Sequence, residues 1–562
     1  MRWILPAPAD AAQCAALARE FGLPPFVAEL LCRRGFSTPE LASPFLQPRL
    51  KSLSDPFLLP NMEAAVQRLL AAIDARERIV LYGDYDVDGV TSLAILTRVL
   101  RAYGATVACF LPSRMDEGYG LSHDGVRRCV EEHRPQLLVA VDCGTSSVAE
   151  IAALRRDGVD VMVFDHHEPK SALPDDAVIV NPKLGGDFHY LCSAGLAFKA
   201  AHALLKRRPL PQFDLKCVLD LVALGTVADL VPLVAENRIL VKRGLLQLAE
   251  TRWPGVRALM EKAVVRPPLC AADVGFKLGP RMNAAGRLGT AQEALELLLT
   301  ADPARAAVLA ERLDAQNRER RAVEDGVLKA AEAQVAEWFR PEEHAAVVAG
   351  DDGWHPGVVG IVASRLSKRL HRPAIVIGFD ETGVGKGSCR SIGGYSLVQA
   401  LGECAAHLEK HGGHEMAAGL TVQRARFEAF REAFGAHARG ALTAEQLEPR
   451  LHLDAELPLG EVGYSVLDDH DLLQPFGMAN FQPVFYARGV TLAAPPRVMK
   501  EKHFAFQFRH RGSSARGVWF GGAAHTLPPP PWDVAFTVDR HEYEGEVSAQ
   551  LLVTAVRATG VA

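Results

Sequence analysis

The chain has 562 residues, 49% hydrophobic and 23% charged, with a formal net charge of −5. This composition excludes a disordered or fibrous chain, and the length predicts about three or four domains. The charge excludes a uniformly basic coat but not a local cationic groove. The ten scattered cysteines form no CxxC pair, which excludes a zinc ribbon.

Residues 1–60 read as a helical lead-in closing on Pro44, Pro48, Pro56 and Pro60. The opening MRWILPAPADAAQ lacks a basic-then-apolar leader pattern, and no run of about eighteen apolar residues predicts a membrane span. With thiols suited to a reducing compartment, the expected location is cytoplasmic, with no membrane partner. From 61 to 235, short apolar runs at 79–82, 137–141, 159–164 and 177–180 alternate with helical periods, one of them from Val90 to Leu100. That alternation predicts a parallel, helix-covered α/β sheet. Residues 236–340 read as helical and end in a long, charge-laced connector. A second, smaller α/β domain is expected over 341–445. Strand-like runs separated by turns over 446–562 predict an all-β barrel.

The chemistry concentrates in GDYDVDG at 83–89. Asp84, Asp86 and Asp88 follow an apolar strand, and an extended chain there points all three to one side. Such crowding is costly without a cation between the carboxylates. An EF-hand is excluded, because its twelfth position is Ile95 rather than Glu. Asp142 ends the second apolar run and Asp165-His166-His167 ends the third, so acids and imidazoles gather at the carboxyl ends of the strands, where open parallel sheets bind ligands. Asp229, closing the run LGTVADLVP, reads alone as a cap. Carboxylates with imidazoles suit Mn²⁺ or Mg²⁺, and two such ions suit phosphoryl-transfer hydrolysis.

Three later stretches combine glycine with cations: GPRMNAAGR at 279–287, read as a small-residue turn, KGSCRS at 386–391, and HGGHEMAAG at 411–419. Glycine lets backbone N–H groups approach phosphate, and arginine grips it bidentately, although each stretch alone also fits a surface loop. Between 491 and 520, Arg497, Lys500, Lys502, Arg509, Arg511 and Arg516 interleave with Phe504, Phe506, Phe508 and Trp519. This suits a single-strand groove, or equally a strand with aromatics inward and cations outward.

DYDVDG, VDCG, DHH and Asp229, in that order, resemble the four motifs of the DHH phosphoesterase superfamily. The resemblance implies metal ligands at Asp86, Asp88, Asp142, His166 and Asp229, with Asp84 and His167 as catalytic groups of the same site. The pyrophosphatase branch carries a His where this chain has Tyr82, which argues against that activity. The glycine-cation stretches, with WHPGVVGIVASRL at 354–366, resemble the DHHA1 domain; His355 there either faces substrate or caps a helix. The plan from about 60 to 562 resembles the RecJ family of bacterial single-strand-specific 5′→3′ exonucleases.

That resemblance implies a parallel-sheet DHH domain joined by a long helix to a smaller α/β DHHA1 domain, with a C-terminal OB-fold. It implies degradation of single-stranded DNA from a 5′ end to 5′-mononucleotides, in DNA repair and recombination, the strand threading between the DHH and DHHA1 domains. Substrate contacts fall on Arg281, Arg287, Ser388, Arg390, Ser391 and His414. Single-strand-binding protein and a RecQ-type helicase are the implied protein partners. Two rival readings are a DHH/DHHA1 phosphodiesterase for cyclic dinucleotides or short RNA, and a non-catalytic replication scaffold. The β domain at the end opposes the first, and the intact acidic and histidine set opposes the second.

Overall fold

The computed structural model describes residues 1–112, 120–170, 172–543 and 546–560. Contacts divide the chain into two compact units. The larger comprises Trp3–Asn283, Ala291–Ala310 and His452–Ala562; the smaller comprises Met1–Arg2, Ala284–Thr290 and Glu311–Leu451.

In the larger unit a five-stranded sheet runs in the order Val107–Phe110, Ile79–Gly83, Leu137–Val141, Asp160–Phe164, Val178–Val180. Every pairing is parallel. The two central strands Ile79–Gly83 and Leu137–Val141 are buried along their whole length, as their unbroken apolar sequences require when helices cover both faces. The strand order reverses beside Ile79–Gly83, which places a ligand crevice at the carboxyl ends there. Helix Val87–Ala102 leaves that end and packs against Ser193–Arg207 and Leu219–Ala228. The last of these is apolar all round and accordingly buried.

The Asp84–Asp88 stretch is not extended. Asp86 is the N-cap of helix Val87–Ala102 and Asp88 lies in its first turn, because the apolar period after 87 carries the helix back to Asp86. The stretch 279–287 is likewise no turn: Gly279–Leu288 is helical, preceded by a π-helical Val274–Leu278. Small residues such as Ala284 and Ala285 favour helix, and Pro280 is tolerated in a first turn.

The C-terminal strands Phe485–Met499, His503–His510, Ser513–Trp519, Glu546–Ala558 and Trp532–Tyr543 close into a barrel, since Phe485–Met499 also pairs with Trp532–Tyr543. Phe506 and Phe508 face the core with Trp532, whereas Arg509, Arg511 and Arg516 are exposed. The aromatic members of the proposed groove are therefore mostly core, because strand alternation puts Phe506 and Phe508 on the inner face. The N-terminal helices are no free-standing lead-in. Leu17, Val27, Leu31 and Phe45 share the barrel's core with Phe485 and Trp532, and Arg238 donates to Phe45 O (2.9 Å) and Leu473 O (3.2 Å).

The smaller unit holds a second five-stranded sheet, in the order Lys410–Gly413, Ala417–Gln423, Val384–Arg390, Ala374–Phe379, Val347–Asp352. The 386–390 stretch is thus a central strand. The long helix Pro303–Trp338 contributes Val327, Ala331 and Val335 to a core shared with Val347 and Val358. Its Gln334 reaches the edge strand, donating to Gly350 O (3.1 Å) and accepting from Gly350 N (3.0 Å). Among the described residues no helix is long and apolar enough to cross a membrane.

Candidate metal centre

Seven predicted side chains converge at the carboxyl end of the parallel sheet. Three sets have ligand atoms within 4.8 Å of one another: Asp84, Asp86 and Asp142; Asp88, His166 and Asp229; Asp142, His166 and His167. Asp142 and His166 each belong to two sets, and of the two only a carboxylate, with two oxygens, can be shared between two ions.

Each carboxylate is positioned by local structure. Gly89 permits the tight entry into helix Val87–Ala102, since a Cβ there would stand 2.4 Å from Asp84 O. Asp86 Oδ1 accepts from Gly89 N at 3.0 Å. Asp88 accepts from Ser193 N (2.7 Å) and Ala194 N (2.9 Å), the opening amides of helix Ser193–Arg207, which favour negative charge. Gly225 leaves it room, a Cβ at that position falling 2.8 Å from Asp88 Oδ1. Asp142 takes a left-handed φ of 65° at the strand end and accepts from Ser193 Oγ at 2.9 Å. Asp229 is the C-cap of helix Leu219–Ala228.

His166 carries the clearest signal of a cation site. Its buried Nε2 makes no hydrogen bond. It faces Asp142 Oδ1 at 3.3 Å, Asp229 Oδ2 at 3.5 Å and Asp88 Oδ2 at 3.8 Å. Burial, then the charge of His167, pushes its pKa down to about 3, so the imidazole is neutral and cannot itself neutralise these acids. Burial, then Asp86, pushes Asp88 up to about 6. Burial, then Asp88 and Asp86, pushes Asp229 up to about 9. Burial with four neighbouring carboxylates raises Asp142 well above the usual range. A neutral imidazole lone pair among crowded carboxylates fits divalent cations, and oxygen-rich sets of this kind suit Mn²⁺ or Mg²⁺.

Two supports had no role in the sequence reading: Asp165, placed at the strand end, and Ser193. Asp165 accepts from Thr145 N (3.0 Å), His166 N (2.8 Å), His167 N (3.1 Å) and His167 Nδ1 (2.7 Å). Against burial, which pushes it up, the His167 hydrogen bond and charge hold Asp165 below the ordinary carboxylate range, and Asp165 in turn raises His167 against its own burial. An Asp two residues before a His at a strand end was the available signal. Ser193, meeting Asp142 and Asp88 across long sequence separations, had none. Tyr82 is buried with its hydroxyl donating to Gly120 O at 3.1 Å, a local structural role.

The predicted phosphate contacts fall in both units. Arg281 belongs to the larger unit, where its Nη1 donates to Lys277 O at 2.7 Å. In the smaller unit Ser388 and Arg390 meet over Gly360, where a Cβ would stand 3.2 Å from both Ser388 Oγ and Arg390 Nη2. Near the start of the helix that carries Gly360, Arg287 Nη1 donates to Gly357 O at 3.0 Å. Ser391 is turned away, its hydroxyl donating to Tyr395 O at 2.6 Å. His414 lies exposed at the hairpin between Lys410–Gly413 and Ala417–Gln423. His355 is a helix cap, its Nδ1 accepting from Gly357 N at 3.0 Å.

Comparison with known proteins agrees with this division. Residues 78–226 match the DHH family N-terminal domain, 343–439 the DHHA1 domain and 453–555 the RecJ OB domain. A single-stranded-DNA-specific exonuclease RecJ of Dickeya dadantii is 37% identical, over 90% of this chain and 92% of its own length. The Bacillus subtilis RecJ is 37% identical over 92% of this chain, which spans 66% of that relative's length. The crystal structure of RecJ from Thermus thermophilus in complex with Mn²⁺ superposes with a TM-score of 0.85 at 32% identity, covering 100% of this chain and 80% of that one. With three successive domain types matched and the acid–histidine cluster assembled on the first of them, the chain belongs to the RecJ family.

Proposed function

We infer that this chain is a metal-dependent, single-stranded-DNA-specific exonuclease that proceeds from the 5′ end and releases 5′-mononucleotides. The observation that carries the reading is His166 Nε2, buried and without a hydrogen bond, facing Asp88, Asp142 and Asp229. Asp86, Asp88, Asp142, His166 and Asp229 would hold two Mn²⁺ or Mg²⁺ ions, with Asp84 lining the same site. Such ions, when bound, lower the pKa of an attacking water and stabilise charge on the leaving oxygen. His167, whose pKa the Asp165 hydrogen bond and charge raise against its burial, donates a hydrogen bond to the scissile phosphate. Asp142, accepting from Ser193, stays oriented through turnover.

Ser388 and Arg390, with Arg287, grip a terminal 5′-phosphate, and a guanidinium's planar fork suits its oxygens. The exposed cations of the barrel bind the strand backbone without reading bases. The setting is DNA repair and recombination in the cytoplasm, beside single-strand-binding protein and a RecQ-type helicase. A β barrel matching the RecJ OB domain favours long strands over cyclic dinucleotides.

The test is a timed Mn²⁺ digestion of a 5′-phosphorylated single strand labelled at its 3′ end, with duplex as control. Progressive shortening with label retained and duplex spared supports the reading. Early release of a labelled mononucleotide reverses the polarity and removes the 5′ anchor.

A further inference from the structure

Helix Val87–Ala102 carries Asp88 at one end and a different cluster at the other. Arg98 lies ten residues beyond Asp88, roughly 15 Å along the axis. Two surface hollows adjoin there, both within the larger unit. One, of about 360 Å³, is lined by Thr97, Arg98, Arg101, Phe213, Trp253 and Leu299. The other, of about 320 Å³, shares Arg101 and Leu299 and extends to Cys109, Leu295 and Thr300.

Arg98 is the unusual member. Its guanidinium stacks 3.4 Å from the Trp253 ring centroid and donates from Nη2 to Leu298 O. Its Nε is shut off from solvent with no hydrogen-bond partner, and no carboxylate among the described residues hydrogen-bonds to it. Asp220 is the acid it feels, but that carboxylate is already engaged by Thr251 Oγ1 (2.6 Å), Leu221 N (2.8 Å) and Trp253 Nε1 (3.3 Å). The other acid on this wall, Glu296, is held by Arg305 at 2.6 Å. Arg101 is exposed beside it, and Arg252 stacks on Trp253 at 4.3 Å. A largely buried cation whose nearest carboxylate is engaged by three other donors is costly, and an anion in the adjoining hollow would relieve it. Burial pulls Arg98 down to about 10, against the opposing charge of Asp220.

We propose that these joined hollows are a phosphate-monoester site, with Arg98 and Arg101 on the phosphate and the side chains of Leu295 and Leu299 accepting the nucleoside of a mononucleotide. Two guanidiniums suit a doubly charged terminal phosphate. Mostly apolar walls with a few convergent polar groups are the ordinary make-up of a small-molecule site. The site stands at the opposite end of the helix from the metal centre and needs no metal.

Calorimetric titration of the full chain in EDTA tests this, with thymidine 5′-monophosphate, inorganic phosphate and thymidine in separate arms. An Arg390→Ala background silences the proposed 5′-phosphate anchor. The expected result is nucleotide binding with Kd below about 1 mM, thymidine weaker by about tenfold or more, and an about tenfold loss in Arg101→Met. Arg101 is exposed, so that variant folds even where Arg98→Met does not. A Trp253 fluorescence change on binding, absent in Trp253→Phe, would place the ligand. Inorganic phosphate matching the nucleotide would assign the site to free phosphate and overturn the nucleoside wall. No heat from either anion, or binding unchanged in both arginine variants, overturns the proposal.

Discussion

The two α/β sheets of this molecule arrange their chemistry in opposite ways. In the first, every pairing is parallel, so all strands end on one side and their loops deliver Asp84, Asp142 and the Asp165–His167 run to one place. In the second, only Val347–Asp352 and Ala374–Phe379 run parallel, and Val384–Arg390 returns antiparallel, so that Arg390 lies opposite Ala374 at the start of its neighbour. Its polar groups therefore sit on a strand, over the glycine of a covering helix, rather than on loops. The first geometry crowds negative charge and calls for a cation; the second sets Ser388 and Arg390 side by side along one strand. Topology, more than composition, decides where a sheet presents its reactive groups.

Removing the shared ligand tests the first sheet most severely. Asp142→Ala is expected to abolish cleavage, by about 10³-fold or more, while the barrel still binds single strands in a gel-shift assay; retained cleavage would show that Asp142 holds no essential ion. In the barrel, Phe508→Ala is expected to cost about 3–5 kcal/mol in chemical denaturation, because it opens a cavity in the core shared with the N-terminal helices. Arg509→Ala, its exposed neighbour, should leave stability alone and reduce the salt slope of binding by about one. Asp165→Asn keeps size but loses the charge that holds His167, and should lower kcat by about 10²-fold or more while leaving the Mn²⁺ dependence of activity nearly unchanged. Arg390→Ala sharpens the contrast with the second sheet: turnover of a 5′-hydroxyl strand should be nearly unchanged, and the preference for a 5′-phosphate should fall by about tenfold.

The smallest effect is a pH dependence. Asp88 and Asp229 have folded-state pKa values raised to about 6 and about 9, so the folded chain holds protons that the unfolded chain has released. Their stabilising contribution is complete below the unfolded carboxylate range and is lost as pH rises through those values. His166, lowered to about 3, opposes this only below its unfolded value near 6.5. Between pH 7 and 9 the chain in EDTA should therefore lose about 2–4 °C in Tm, and saturating Mn²⁺ should remove the slope. An apo Tm that rises over that window would contradict the raised carboxylates.

Most of the metal cluster was legible because carboxylates spaced two apart after an apolar strand repel one another unless a cation lies between them. Their conformation was not: alternation suggested an extended stretch, whereas Asp86 caps a helix and Asp88 lies inside it, so they converge by a turn of helix rather than by strand pleat. Ser193 and Ala194 reach Asp88 across 105 and 106 positions, and no local pattern announces such a contact. In the barrel the alternation of Phe504, Phe506 and Phe508 was visible, but which face was wet depended on the N-terminal helices that complete its core.

Gln334 guards a margin of the second sheet. The strand Val347–Asp352 is the last of that sheet, and the amide of Gln334 occupies both the donor and the acceptor of Gly350 there. A bare strand edge is a template for another chain, and a side-chain amide that mimics one rung of backbone blunts it. The long helix thus shields one rung of that edge as well as packing against the sheet. Its loss at this residue would first be visible as self-association in concentrated solution, with the hydrolytic centre intact.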